Sequence, residues 1–193
     1  MNAKEMAGFI MHILQSSETQ RISFTYVGKS GLKIPIDGGR FSQVARAIHT
    51  GTIKVAYPAD TGPYAALYNA KSKTLAISQG QPYSSRMFNA LVVHESVHAA
   101  LDLNKTVLTH FDAEAAAYVV QGFYLRNSGY GAKMAAAFNE DGPVYIGYQA
   151  AQTMNPQKRI VTFNDTWVQE LHMDLGKRSG YANKLDEAGK GDH

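Results

Sequence analysis

Hydrophobic and polar positions follow two different periods along the N-terminal half of the chain. Apolar residues at helical spacing predict an amphipathic helix over about residues 4–16. Residues 22–27 and 52–57 alternate and are rich in β-branched and aromatic side chains, which predicts two strands. Two shorter apolar runs, 66–68 and 74–77, flank a polar loop and predict a hairpin.

Glycine and capping signals divide the remaining chain mainly into helices. Gly38-Gly39 indicates a break, after which Ser42 is expected to cap a short helix. A long helix is predicted over about residues 85–103. Thr109, followed by Asp112, resembles a capping box and predicts a helix as far as about residue 126. A last helix is expected over about residues 165–175, so the chain mixes helices with short strands.

Composition limits the classes of protein that the chain can represent. Of the 193 residues, 45% are hydrophobic and 18% are charged, which is typical of a globular protein. We expect one domain over residues 1–176 and a flexible Gly- and charge-rich tail over 177–193. The chain has no cysteine, so disulfides, thiolate metal ligands and thiol nucleophiles are excluded.

Charge and hydropathy along the chain bear on partners and location. The net charge is +3, but no run of Lys and Arg forms a nucleic-acid patch, so we expect no nucleic-acid partner. No apolar run is long enough to span a membrane, and no signal peptide is recognised. By default we expect a cytoplasmic protein; export by a non-classical route and the oligomeric state stay open.

The stretch with most chemical information is His94-Glu95-Ser96-Val97-His98, inside the helix predicted over residues 85–103. Two histidines four apart lie on one helical face, so both imidazoles can bind one metal ion. Glu95 follows the first histidine and suits the base that activates a metal-bound water. Apolar residues flank the motif on both sides, which predicts a mostly buried helix.

A catalytic zinc ion needs a third protein ligand and an open position for water. Glu114, sixteen positions after His98 on the next predicted helix, is the leading candidate. It stands among alanines, whose small side chains let two helices approach closely. Asp112 and Asp102 stay open as alternatives, Asp112 otherwise as a residue of the helix start. His110 is interpreted as a loop histidine.

The His-Glu-x-x-His motif followed by a helix that carries Glu-Ala resembles the gluzincin metallopeptidases, over roughly residues 74–121. The resemblance implies a zincin-like α+β fold, with a small, mostly antiparallel sheet packed on the motif helix and a largely helical C-terminal part. It also implies one Zn²⁺ ion held by His94, His98 and Glu114, with Glu95 as the base. Residues Leu75, Ala76, Ile77 and Ser78 are expected to form the edge strand that binds an extended substrate.

Departures from the family pattern concern the residues around the ligands. Where thermolysin-like enzymes have an aspartate four positions after the third ligand, this chain has Tyr118, whose phenol is a candidate to support a ligand but supplies no charge. Asp102, four positions after the second histidine, matches the pattern and is expected to support a ligand. His172 is a candidate for stabilising the transition state, although a helix-surface position is the simpler interpretation.

The leading hypothesis is therefore a zinc metallopeptidase that acts on a peptide or protein substrate. A secreted or delivered peptidase effector or toxin would have the same site and a different target. The alternative that is not an enzyme is a binding or regulatory module that zinc stabilises. Glu95 argues against that module, because a structural zinc needs no base and is usually closed by four protein ligands.

Overall fold

A computed structural model describes residues 1–130, 142–154 and 157–177. Over this part, seven helices and six short strands give an α+β arrangement. The helices are α1 (Ala3–Gln15), α2 (Ser17–Gln20), α3 (Gly38–His49), α4 (Arg86–Leu103), α5 (His110–Asn127), α6 (Pro143–Thr153) and α7 (Thr166–Lys177). The strands are β1 (Ser23–Val27), β2 (Lys33–Asp37), β3 (Lys54–Ala56), β4 (Ala66–Asn69), β5 (Thr74–Ile77) and β6 (Ile160–Thr162).

The strands form two three-stranded sheets rather than the one sheet that the sequence predicted. One sheet has the order β2-β1-β6 and the other β3-β5-β4. In each sheet the central strand pairs antiparallel with one neighbour and parallel with the other. The expectation of a mostly antiparallel sheet is therefore met only in part, because β6 pairs in parallel with β1 from far along the chain, and β5 pairs in parallel with β3 after the intervening strand β4.

Helix α4 begins at a clear signal and is buried on most of its surface. The Ser85 side chain accepts a hydrogen bond from the amide of Phe88 and caps the first turn. Apolar residues surround the helix, so it contacts other elements on several sides. It packs against α3, α5 and strand β4. The sequence predicted this helix and its start correctly.

Helix α5 runs back along α4 after a short turn. The Thr109 side chain accepts a hydrogen bond from the amide of Asp112 and caps the helix, as the sequence predicted. On its other side α5 packs against α6, where Gly122 and Gly147 face each other. A Cβ atom on Gly147 would lie 2.6 Å from the carbonyl carbon of Tyr118, so the two helices touch backbone to backbone.

The first sheet and the remaining helices complete the core around this pair. Phe24 of β1 stacks on Phe123 of α5 with ring centroids 4.9 Å apart, which joins the sheet to the helix. Lys177, expected to begin the tail over residues 177–193, belongs to α7, and the other residues of that segment lie outside the described residues. Among the helices that the structure describes, none has the length and hydropathy needed to cross a membrane.

Candidate metal centre

Two histidines of α4 and one glutamate of α5 bring their polar atoms together between the two helices. His94 and His98 are four residues apart, so both imidazoles project from one face of α4. The Nε2 atom of His94 lies 3.6 Å from Glu114 Oε2, and the Nε2 atom of His98 lies 3.2 Å from Glu114 Oε1. Each side chain offers a ligand atom, and these atoms all lie within 4.8 Å of one another. The predicted ligand set is thus assembled at one place.

The spacing of these atoms matches the size of a tetrahedral metal site. Ligand atoms at about 2.0–2.1 Å from a zinc ion in tetrahedral geometry lie about 3.3 Å from each other. The two separations, 3.2 and 3.6 Å, fall on either side of that length, and each imidazole faces a different oxygen of the Glu114 carboxylate. Glu114 is only 2% exposed, and a carboxylate so deeply buried requires a charge partner or a metal. Two imidazoles and one carboxylate can bind zinc, and they can also bind several other first-row metal ions.

Small side chains on α5 bring the short Glu114 side chain within reach of α4. Ala115, Ala116 and Ala117 are fully buried, so the residues that follow Glu114 add little bulk where α5 packs against its neighbours. The sequence predicted this close approach from the run of alanines.

Glu95 lies beside the three ligand candidates but is not one of them. It is buried on α4, and its Oε2 atom accepts a hydrogen bond of 2.9 Å from the backbone amide of Tyr68 in β4. The possible metal-binding group comprises His94, His98 and Glu114 and leaves Glu95 out. Glu95 thus adds a second carboxylate to the lining of the cleft that contains the three ligand candidates.

Tyr68 of strand β4 contacts helix α4 through both its backbone amide and its side-chain hydroxyl. The amide of Tyr68 donates to Glu95, and its hydroxyl donates to Asp102 Oδ2 at 2.6 Å. Burial, reinforced by the Asp102 carboxylate, raises the pKa of the Tyr68 hydroxyl, which therefore remains a donor. Asp102 also forms an ion pair of 3.0 Å with Lys73.

These contacts correct the prediction for Asp102. Its carboxylate faces the β4–β5 hairpin, so it is neither a member of the ligand group nor the direct support of a ligand histidine. The reason is that strand β4, through Tyr68, occupies the face of α4 one turn beyond His98.

Asp112 is likewise separate from the metal-ligand group. Its Oδ1 atom accepts hydrogen bonds from the hydroxyl of Tyr26 at 3.1 Å and from the amide of Lys29 at 3.2 Å. Position 28 needs a glycine, because a Cβ atom there would lie only 2.8 Å from Asp112 Oδ2. Asp112 therefore fixes the β1–β2 turn to the start of α5, and the alternative that it binds the metal is wrong.

Tyr118 lies against the first ligand candidate, one turn beyond Glu114. Its ring contacts the His94 ring edge to face, with centroids 4.6 Å apart. The Nδ1 atom of His94 is buried and has no hydrogen-bond partner among the described residues. Tyr118 thus restrains the imidazole by packing and supplies no charge.

Two other histidines, His172 and His110, lie in surroundings that the sequence did not predict. His172 lies between Phe111 and Phe163, with ring centroids 4.1 and 6.0 Å away, and it does not line the cleft beside the ligands. Among the described residues, His172 therefore makes no contact that supports the predicted transition-state role. His110 is the first residue of α5 rather than a loop residue, is buried, and does line that cleft. Its spacing of four from Glu114 is the sequence signal that places both on one helical face.

The predicted substrate strand is also in a different place. Leu75, Ala76 and Ile77 belong to β5, which is the central strand between β3 and β4, and Ser78 follows it with its amide bonded to the carbonyl of Ala65. Both sides of β5 are paired, so it cannot accept a further strand. The strand at the outer edge beside the cleft is β4, with Ala66 and Leu67 in the cleft wall.

The cleft itself has a volume of about 270 Å³ and is open to solvent. The segment around β4 forms one wall and α5 the other, with the ligand candidates and Glu95 between them. The β4 wall is therefore mostly apolar, whereas the α5 wall contributes the polar side chains His110, Tyr118 and Gln121 beside Glu114.

No protein-family model, curated protein or solved structure matches this chain. The interpretation of the cleft therefore depends on the chemistry of the residues that line it. Those residues are two imidazoles and a carboxylate within ligand distance of one ion, and a second carboxylate held by a backbone amide.

Proposed function

We propose that this chain is a zinc-dependent metallopeptidase of the gluzincin kind, with a zincin-like arrangement of its α4–α5 pair. The observation that carries the proposal is the convergence of His94, His98 and Glu114 within 4.8 Å, with Glu95 in the same cleft. Three protein ligands leave one coordination position of a tetrahedral ion for water or substrate, which distinguishes catalytic from structural zinc sites.

A bound zinc ion supplies Lewis acidity, which acidifies water and polarises a substrate carbonyl. Glu95 accepts the proton of the attacking water and returns it to the leaving amine. The hydrogen bond from the Tyr68 amide to Oε2 holds this carboxylate in the cleft. The Tyr68 amide thereby fixes the plane of the carboxylate relative to the ligands. His110 and Tyr118 flank Glu114 on α5 and provide further polar groups along the cleft.

The position of β4 favours a peptide as the substrate. The Tyr68 amide points away from β5, so the outer side of β4 faces α4 and the cleft. Ala65, Ala66 and Leu67 line the cleft next to the ligand candidates. An extended peptide can bind alongside such a strand, because backbone hydrogen bonds hold it with little demand on its sequence.

Two further hypotheses start from the same group of residues. A peptidase effector that is delivered to another cell would use the same groups and differ only in its target. A zinc-stabilised module without turnover has no use for a base, so the buried Glu95 beside the ligand group favours the enzyme.

The experiment that tests the proposal compares wild type with Glu95→Gln. We expect both proteins to bind one zinc ion per chain, because Glu95 is outside the ligand group and glutamine still accepts the Tyr68 hydrogen bond. Peptide hydrolysis should fall by about 10²–10⁴-fold, the usual contribution of a general base. Metal analysis and a peptide-library or casein assay measure the two properties.

The matched control is Glu170→Gln on α7, which makes the same chemical change away from the cleft and should retain full activity. Equal activity of wild type and Glu95→Gln would refute the role of Glu95. A zinc-loaded wild type without any peptide hydrolysis would refute the peptidase.

A further inference from the structure

Gln121 is a buried polar side chain in the cleft wall that no step of the proposed reaction uses. It lies on α5 and is 3% exposed. Its Oε1 atom is buried and has no hydrogen-bond partner among the described residues. The side chain nevertheless lines the cleft that contains His94, Glu95 and Glu114. We infer that Gln121 selects the substrate, by binding a neutral substrate side chain that carries a hydrogen-bond donor; this rests on the proposed peptidase function.

The antiparallel helix pair fixes where this group lies relative to the metal ligands. Glu114 faces His98, and one turn later Tyr118 faces His94. Gln121 is therefore beyond His94, seven residues or about 10 Å along α5 from Glu114. Leu91, one turn before Glu95 on α4, and Val144 of α6 line the cleft as well. Gln121 is thus a polar group beside two apolar residues in the pocket at the His94 end of the cleft.

The distance suits a side chain close to the scissile bond. An extended peptide advances about 3.3 Å per residue, and a long side chain extends several ångströms beyond its backbone. A residue one or two positions from the reacting carbonyl can therefore place its side-chain end against Gln121.

The chemistry of the pocket favours a primary amide. A buried amide without a partner is unfavourable, and a ligand that supplies a donor removes that penalty. A charged side chain would lose its hydration and gain only one neutral partner, which is costly. An apolar side chain would fill the pocket but leave the amide unpaired. Glutamine or asparagine can both donate to and accept from the Gln121 amide, so peptides with these residues next to the scissile bond are the expected substrates.

A structural role for Gln121 predicts a different response to substitution. The Oε1 atom of Gln121 makes no hydrogen bond that would hold one element to another within the described chain. Gln121→Met has nearly the same shape and removes the unpaired amide, so its melting temperature should be equal to or above that of wild type. A residue kept for the fold would instead lower the melting temperature when replaced.

Selectivity is tested by binding, so that the result does not depend on turnover. The protein is the zinc-loaded full chain carrying Glu95→Gln, with and without Gln121→Met. The probes are two series of short peptide hydroxamates, with glutamine or the isosteric methionine on either side of the hydroxamate. Calorimetry gives the Kd of each probe. The control is Gln15→Met, which makes the same change at an exposed position of α1.

We expect the protein with Gln121 to bind the glutamine probe at least about tenfold more tightly than the methionine probe in one series. Gln121→Met should abolish or reverse that preference, and Gln15→Met should retain it. Equal Kd ratios with and without Gln121→Met, or no binding of either probe, would overturn the inference. If the probes bind selectively but wild type hydrolyses no peptide, the proposed peptidase function is refuted and the role of Gln121 in selective binding is retained.

Discussion

The link between strand β4 and helix α4 through Tyr68 gives a prediction whose magnitude follows from the structure. Tyr68→Phe removes the hydroxyl that donates to Asp102 at 2.6 Å and leaves the ring in place, since the residue is 2% exposed. Hydrogen bonds to charged groups contribute about 1.5–3 kcal/mol. Asp102 retains Lys73, and its side chain is 24% exposed, so water replaces part of the lost bond. We therefore expect a loss of about 1.5 kcal/mol in the free energy of unfolding.

Urea denaturation and calorimetry measure this effect. For a chain of this size, about 1.5 kcal/mol lowers the melting temperature by about 3–6 °C. The control Tyr64→Phe, at a tyrosine that is 50% exposed, should change the free energy of unfolding by less than about 0.5 kcal/mol. A double-mutant cycle with Asp102→Asn should give a coupling energy of about 1 kcal/mol between the two side chains. A Tyr68→Phe protein as stable as the Tyr64→Phe control, or a coupling energy near zero, would refute this reasoning.

Three further substitutions test the ligand set, the position of Asp112 and the contact between α5 and α6. His98→Ala should lose zinc, as shown by metal analysis, and its melting temperature should no longer respond to EDTA; retention of one tightly bound zinc ion would contradict the ligand set. Asp112→Asn should retain zinc yet lower the free energy of unfolding by about 1–3 kcal/mol in denaturation experiments, because Tyr26 loses a buried charged partner; loss of zinc with unchanged stability would reverse its assignment. Gly147→Ala should force α6 away from Tyr118 and lower the melting temperature, and a fully stable variant would show that the helices do not touch there.

The elements that the sequence predicted best are those with local signals. The spacing of His94 and His98, the helix start near residue 85, the Thr109 cap and the alanines around Glu114 all depend on a few neighbouring residues, so each could be interpreted without the rest of the chain. The β4–β5 hairpin was predicted for the same reason.

The features that were missed depend on contacts between distant segments. Strand β2 includes Pro35, which discourages a strand assignment but is tolerated because β2 lies at the edge of its sheet. Gly38-Gly39, expected to break the chain, instead begins α3, where the Asp37 side chain caps the helix and not Ser42. A Cβ atom on Gly38 would lie 2.9 Å from the backbone oxygen of Gln20, and that contact is invisible in the sequence.

The same distinction applies within the site. Periodicity correctly placed Asp102 on the face of α4 that carries His98, but only the tertiary structure brings Tyr68 to that face. The order of the second sheet depends on the parallel pairing of β3 with β5, so the sequence could not tell that β5 is central. His110 was undervalued because its helix was predicted to start close to it, and a boundary is the least certain part of a prediction from sequence.

Anomalous diffraction at the zinc edge, from crystals of the zinc-loaded full chain, tests the ligand assignment most directly. We predict one anomalous peak per chain, at about 2 Å from Nε2 of His94, Nε2 of His98 and a carboxylate oxygen of Glu114. A peak at another position, or a zinc ion at this position with Glu114 turned away from it, would contradict the assignment.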